Sequence, residues 1–268
     1  KIMITAKIEN VTPEMAAHWL ETHNTGNRSI RIAHVTRLAS DMTAGNWVAS
    51  NGESIKFDID GRLVDGQHRL SACVLANIPI SCLVVRGVAP DCYATIDIGR
   101  QKNTSDFLAA NAFKNATLMA STAKLLALHQ DGNLANMKDG KVSPTTARVL
   151  QIIEDNPTLT DSAAWTHGNP VSKLLTVSFA CLIHYVATQQ GHSTAVSAFL
   201  DRLGNGLGLR DYEPVYHLRK FLLAHKSAKR KAAQPFVLAL AIKAWIYAKN
   251  EKSVNDLRFR TDEKFPVL

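Results

Sequence analysis

The sequence predicts an α+β fold: a small mixed α/β domain over residues 1–105, followed by an all-helical domain over residues 106–268. Three observations predict it. Up to residue 105, short alternating or apolar runs are interleaved with helically spaced segments and punctuated by turns such as Asp60-Gly61 and Asp65-Gly66. Beyond Asp106 no convincing strand follows, and apolar residues recur at helical spacing over long stretches. The 268 residues suffice for one large domain or two modest ones, and a hydrophobic content of 46% is ordinary for a globular chain.

The first element is a short strand over 2–9. Thr12-Pro13-Glu14 opens a helix to about Thr22, with Thr as N-cap and Pro at the first helical position. A polar loop runs from His23 to Arg28. Residues 33–44 form an amphipathic helix, with Val35, Leu38, Ala39 and Met42 on one face and Gly45 at its end. Residues 55–59 alternate as a strand, Asp60-Gly61 is a hairpin signal, and Arg62 to Val64 return as a second strand. Asp65-Gly66 turns the chain into a helix that runs to about Ala76 and is closed by Pro79. Residues 80–86 are almost continuously apolar, which predicts a strand buried on both faces.

After a turn at Gly87 to Pro90, Arg100 and Lys102 precede Thr104 and Ser105, two good N-caps, so a second basic loop feeds a helix N-terminus. One helix is expected over 107–129, then a loop over 130–141, and Ser143-Pro144-Thr145 opens the next helix. Further helices are expected over 173–189, 193–203, 214–225 and 235–250. There is no internal repeat and no low-complexity tract.

The stretch that carries chemistry is Asp65-Gly66-Gln67-His68-Arg69-Leu70. A strand runs into a glycine turn, and the turn opens a helix. A helix N-terminus has unpaired N–H groups and a partial positive charge, and so favours anions. His68 and Arg69 add donors there, and Arg suits bidentate phosphate contacts. Asp65 is the candidate base or cation partner, with Glu53 as a second candidate. The same residues also admit a plain structural role, with Asp65 capping the helix and Arg69 paired to Asp65 or Asp58.

This hexapeptide resembles the phosphate-binding motif of the ParB/sulfiredoxin superfamily. The order of elements is similar too: Asn27-Arg28 in a loop, a helix ending near Gly45-Asn46-Trp47, Glu53-Ser54-Ile55, then the turn. The resemblance covers roughly the first hundred residues, and the whole chain resembles ParB-like proteins of phages and prophages. It implies a nucleotide ligand, ATP or CTP, held by Gly66, Gln67, His68 and Arg69, with Asn27 and Arg28 in a loop that faces the phosphates or substrate; Mg²⁺ is expected because phosphoryl transfer usually requires it, and Arg100 and Lys102, in the second basic loop before a helix N-terminus, are further phosphate candidates. It does not imply one reaction, because members include DNA clamps that bind CTP, phosphotransferases that use ATP, and proteins classed as nucleases. Sulfiredoxin has its catalytic Cys where this chain has Gln67, so sulfinic-acid repair is not expected.

A net charge of +8 and a pI near 9.4 favour a polyanionic partner such as DNA. The densest basic run is Arg219, Lys220, Lys226, Lys229, Arg230 and Lys231. Lys226, Lys229, Arg230 and Lys231 are its candidate backbone contacts, although the run lacks interleaved aromatics and a linker between helices would read the same way. The cysteines Cys73, Cys82, Cys92 and Cys181 form no Cys-x-x-Cys pair, so no metal centre is expected. No apolar run is long enough to span a membrane and the first residues lack a signal-peptide core, so a cytoplasmic location is expected. The sequence therefore supports an NTP-dependent phosphotransferase or NTPase near nucleic acid. The alternatives are a DNA-binding protein switched by nucleotide, and a nuclease built on Asp58, Asp60, Asp65 and Asp97.

Overall fold

The computed structural model describes residues 3–49, 51–90, 92, 103–229, 231–260 and 262–268, and the fold is mixed α+β. The chain divides into two units, Lys1–Gln101 and Lys102–Leu268.

In the first unit the order is β1 (Thr5–Val11), α1 (Pro13–Thr22), α2 (Ile32–Thr43), β2 (Ser54–Asp58), β3 (Leu63–Asp65), α3 (Gln67–Ala76) and β4 (Ile80–Val88). The sheet order is β1-β4-β2-β3. β4 runs antiparallel to β1 and parallel to β2, while β2 and β3 are antiparallel. Local chemistry sets the joints. Thr12 Oγ1 accepts from Met15 N at 3.2 Å and caps α1. Asp58 Oδ1 accepts from the amides of Asp60 and Arg62 at 3.0 and 2.8 Å, which folds the β2–β3 turn around a buried carboxylate.

One face of the sheet presents Val11, Ile55, Phe57, Ile80, Cys82 and Val84 to Ala16 of α1, Val35, Ala39 and Met42 of α2, and Leu70 and Cys73 of α3. Each fully buried large side chain there is worth about 1.5–3 kcal/mol of hydrophobic stabilisation. β4 corrects the expectation of burial on both faces. Ile80, Cys82 and Val84 are buried while Ser81, Leu83 and Val85 are only half-buried, because the helices cover one face of the sheet.

In the second unit the described residues form α4 (Thr104–Ala110), α5 (Ala116–Gln130), α6 (Thr146–Asp155), α7 (Leu159–Gly168), α8 (Val177–Gln189), α9 (Ser193–Asn205), α10 (Pro214–Ser227) and α11 (Gln234–Lys249), with no strand. α8 is the centre: every residue from Ser178 to Ala187 is buried, as expected of a helix apolar all round. Three expectations are corrected. The helix expected over 107–129 is two helices, because Ala112 and Asn115 take positive φ values of 60° and 54° between them. α7 was not expected at all. The helix expected from Lys173 starts at Val177, since Pro170–Lys173 forms a separate 3-10 turn and Thr176 has a non-helical ψ of 121°. That turn meets α9 at Gly204, where a Cβ would run into the backbone amide of Val171. The final segment folds back on its own unit, with Lys243 Nζ bonded to Arg258 O at 2.7 Å and Phe265 and Leu268 on the core.

Candidate functional site

β3 delivers Asp65 to the turn, and Gly66 makes the turn at φ 111°. A side chain there is excluded twice, by that φ and because a Cβ would sit 3.0 Å from Ile55 Cγ1 and 3.2 Å from Ile55 Cα. Gly66 is the N-cap of α3, so no side chain caps this end and its first amides retain their partial positive charge.

Gln67 and His68 point back to the loop after α1. Gln67 Nε2 donates to Arg28 O at 2.9 Å. Asn27 Nδ2 donates to Leu63 O at 2.6 Å and to Asn24 Oδ1 at 2.7 Å. The backbone amide of Arg31, the N-cap residue of α2, donates to His68 Nε2 at 3.0 Å. An accepting Nε2 carries no proton, so His68 is neutral with its proton on Nδ1. The start of α2, which also lacks a side-chain cap, is thereby fixed beside the start of α3.

The ring of His34 lies 5.2 Å from that of His68. Burial and then the charges of Arg28, Arg31 and Arg69 hold His68 below the usual imidazole range. Burial, His68 and then Arg37, Arg69 and Arg28 do the same to His34. Arg28 and Arg69 act on both rings, Arg31 on His68 and Arg37 on His34. Among the described residues no carboxylate pairs with Arg28 or Arg31.

Arg69 is engaged differently. Its Nη1 meets Glu53 Oε2 at 2.5 Å, and its Nη2 meets Ser54 O at 2.5 Å and Asp65 Oδ2 at 3.1 Å. Its Nε is buried without a partner. Lys56 Nζ reaches the same Asp65 oxygen at 2.7 Å. Burial raises the carboxyl pKa of Asp65, but Arg69 and Lys56 outweigh it and leave the group below the ordinary carboxylate range. The two candidate catalytic carboxylates, Asp65 and Glu53, are thus brought together by one guanidinium.

The basic run of the helical unit uses several of its charges on backbone. Arg219 Nη1 donates to Leu203 O and, at 2.8 Å, to Gly204 O, closing the end of α9. Lys231 Nζ donates to His225 O and Lys226 O at 2.7 and 2.5 Å, closing α10. Lys226 Nζ lies 3.4 Å from Lys173 O, and Lys229 is exposed. Arg100, Lys102, Arg230 and Asp97 lie outside the described residues.

Sequence reasoning missed Arg31, His34, Arg37 and Lys56. Their signal was present: Arg31, His34 and Arg37 recur every third residue, which aligns them on one helix face. Among the described residues no three His, Cys, Asp or Glu side chains are grouped to hold a metal. Burial pushes the thiols of Cys73 and Cys82 up to about 11, so neither is a nucleophile at neutral pH. A cleft of about 410 Å³ beside Trp19 and Arg86, and one of about 340 Å³ beside Trp245 and Arg202, contain none of the motif residues. No helix among the described residues is long and apolar enough to cross a membrane. Comparison with family models, with curated proteins and with solved structures finds no match.

Proposed function

We propose that this is a nucleotide-binding protein that takes the phosphates of ATP or CTP at the start of α3. The observation that carries the reading is the meeting of two helix N-termini without side-chain caps, α2 and α3, joined by the Arg31 amide on His68, with the charges of Arg28 and Arg31 acting on that ring. A nucleotide phosphate suits such donors, because helix N-termini and Arg guanidinium groups both bind phosphate oxygens. Asn27 and Gln67 hold the Arg28 loop in place, while Arg28 and Arg31 contact the ligand.

In the enzymatic form of this reading the protein is an NTP-dependent phosphotransferase or NTPase. Incoming phosphate competes with Asp65 for Arg69 and Lys56, and the released carboxylate then serves as base or as metal partner. Mg²⁺ fits as part of the metal–nucleotide complex, since Mg²⁺ commonly uses one or two carboxylates plus substrate phosphates. Asp65 is the residue that would hold it, and Glu53 the second. The metal would neutralise phosphate charge there.

One observation favours a second reading, a DNA-binding protein switched by nucleotide. Asp65 is doubly paired and its pKa is lowered, which makes it a poor base while those pairs stand. A nuclease is the least supported, because Asp58 spends its oxygens on the turn amides and on Arg62. The test is titration of the protein with ATP, CTP and their diphosphates, with and without Mg²⁺ and DNA, while released phosphate is followed. Turnover supports the enzyme. Tight binding without turnover, altered by DNA, supports the switch. No binding of any nucleotide refutes both.

A further inference from the structure

β1 ends the sheet, and among the described residues no strand pairs with its outer edge. It is also the least covered strand: Thr5 to Ile8 and Asn10 are exposed, and Ile8 is 77% accessible. An exposed edge carrying a large aliphatic side chain is a template for another strand unless charge or a bulge blocks it. β1 pairs with β4 without a register shift over its whole length, so no bulge blunts it. Its charges are Lys7 and Glu9, two residues apart on either side of Ile8. Lys7 forms no ion pair among the described residues, and Glu9 pairs with Arg86.

This pattern is self-complementary. When two copies of β1 run antiparallel about a two-fold axis through Ile8, Lys7 of each faces Glu9 of the other. Thr5 faces Val11, Ala6 faces Asn10, Ile4 faces Thr12, and the two Ile8 side chains meet on the axis. Cross-strand pairs of opposite charge stabilise a sheet and like pairs destabilise it. Sliding the register by two residues sets Lys7 against Lys7 or Glu9 against Glu9. Sliding by one puts the helical layers on opposite faces of the joined sheet and sets Ile8 against a charge. One register is therefore favoured, and Lys7 blocks strands that lack a matching acid.

We propose that this chain forms a two-fold dimer through its β1 edges, giving one continuous eight-stranded sheet centred on Ile8. The partner is a second copy of the chain, and the recognition is main-chain pairing selected by the reciprocal Lys7–Glu9 contacts.

The experiment is sedimentation velocity of the full chain over a wide concentration range, with circular dichroism to verify the fold. Wild type is expected to show a monomer–dimer equilibrium. Ile8→Lys and Lys7→Glu change exposed side chains and leave the fold intact; each is expected to weaken dimerisation by about tenfold or more. Ile8→Cys, in a Cys92→Ser background, is expected to cross-link rapidly on oxidation, because facing residues of an antiparallel pair lie within disulfide reach. Met3→Cys in the same background is expected not to cross-link, because its counterpart faces Pro13 instead. A wild-type protein that stays monomeric throughout overturns the proposal. Cross-linking of Ile8→Cys no faster than Met3→Cys, or a dimer indifferent to Ile8→Lys, does so as well.

Discussion

Arg28 and Arg31 stand near the open starts of α2 and α3 with no carboxylate partner among the described residues, whereas Arg219 and Lys231 donate to carbonyls at the ends of α9 and α10. Along the sequence the second region is the more strongly basic. In the fold Arg219 and Lys231 of that run are committed to helix C-termini, which carry partial negative charge and unsatisfied carbonyls that cations complete. The first region has the reverse arrangement, with cations added to helix ends that are already positive. Such an arrangement is unfavourable alone and becomes favourable with an anion bound. Charge counts in a sequence therefore report on ligands only after the helix ends have taken their share.

The comparison breaks most visibly at Gly66. Gly66→Ala forces a Cβ against Ile55 at φ 111° and is expected to cost on the order of 2–3 kcal/mol, read as a lowered denaturant midpoint. Nucleotide affinity is expected to fall with it. A full-stability Gly66→Ala protein would mean that the turn is free to relax and that α3 does not start where it is placed.

Arg219→Ala sharpens the other side. It removes a charged donor from two carbonyls and is expected to cost about 1–2 kcal/mol of stability while leaving nucleotide affinity unchanged. Chemical denaturation and calorimetry on one sample read both numbers.

Acid should act on both regions in the same direction. His34 and His68 in the first unit, and His184 in the second, are held below the ordinary imidazole value chiefly by burial. His184 is stacked on Trp165 at 4.4 Å and bonded to Ser162 at 2.9 Å. The folded state prefers these rings neutral. The stability they contribute is complete above the unfolded value of about 6.5 and is lost as pH falls below it toward the folded values. Thermal melts between neutral and mildly acid pH should show the decline, and His184→Gln should reduce it in the helical unit.

The smallest effect concerns the basic run. Replacing Lys226, Lys229, Arg230 and Lys231 by Ala should flatten the salt dependence of DNA binding by about 0.9 for each phosphate no longer neutralised. With Lys231 bonded to α10 carbonyls, the flattening should fall short of the full value for all four cations. An unchanged slope would make the run a solvated linker.

Much of the first unit was legible because its signals are local. Thr12-Pro13, Asp60-Gly61 and Asp65-Gly66 each act within a few residues, and each marks a joint in the structure. α7 was not legible: Leu159 to Gly168 has few apolar residues in helical register, and its burial depends on packing against α8. The break at Ala112 and Asn115 was hidden because the flanking apolar residues continue a helical pattern. The motif turn was readable, and so was the pairing of Arg69 with Asp65, but the other partners of these two side chains were not. Glu53 is sixteen residues away and Lys56 reaches Asp65 across the β2–β3 pair, so both contacts follow from sheet register. The loop bonds of Asn27 and Gln67 are of the same long-range kind.

The most direct measurement is calorimetric titration of Mg·ATP and Mg·CTP into wild type, Arg28→Ala, Arg31→Ala and Arg219→Ala. Binding to wild type is expected, weakened about ten- to a hundredfold by Arg28→Ala or Arg31→Ala and unchanged by Arg219→Ala. Absence of binding to wild type, or equal affinity in all four folded proteins, would contradict a phosphate site at the start of α3.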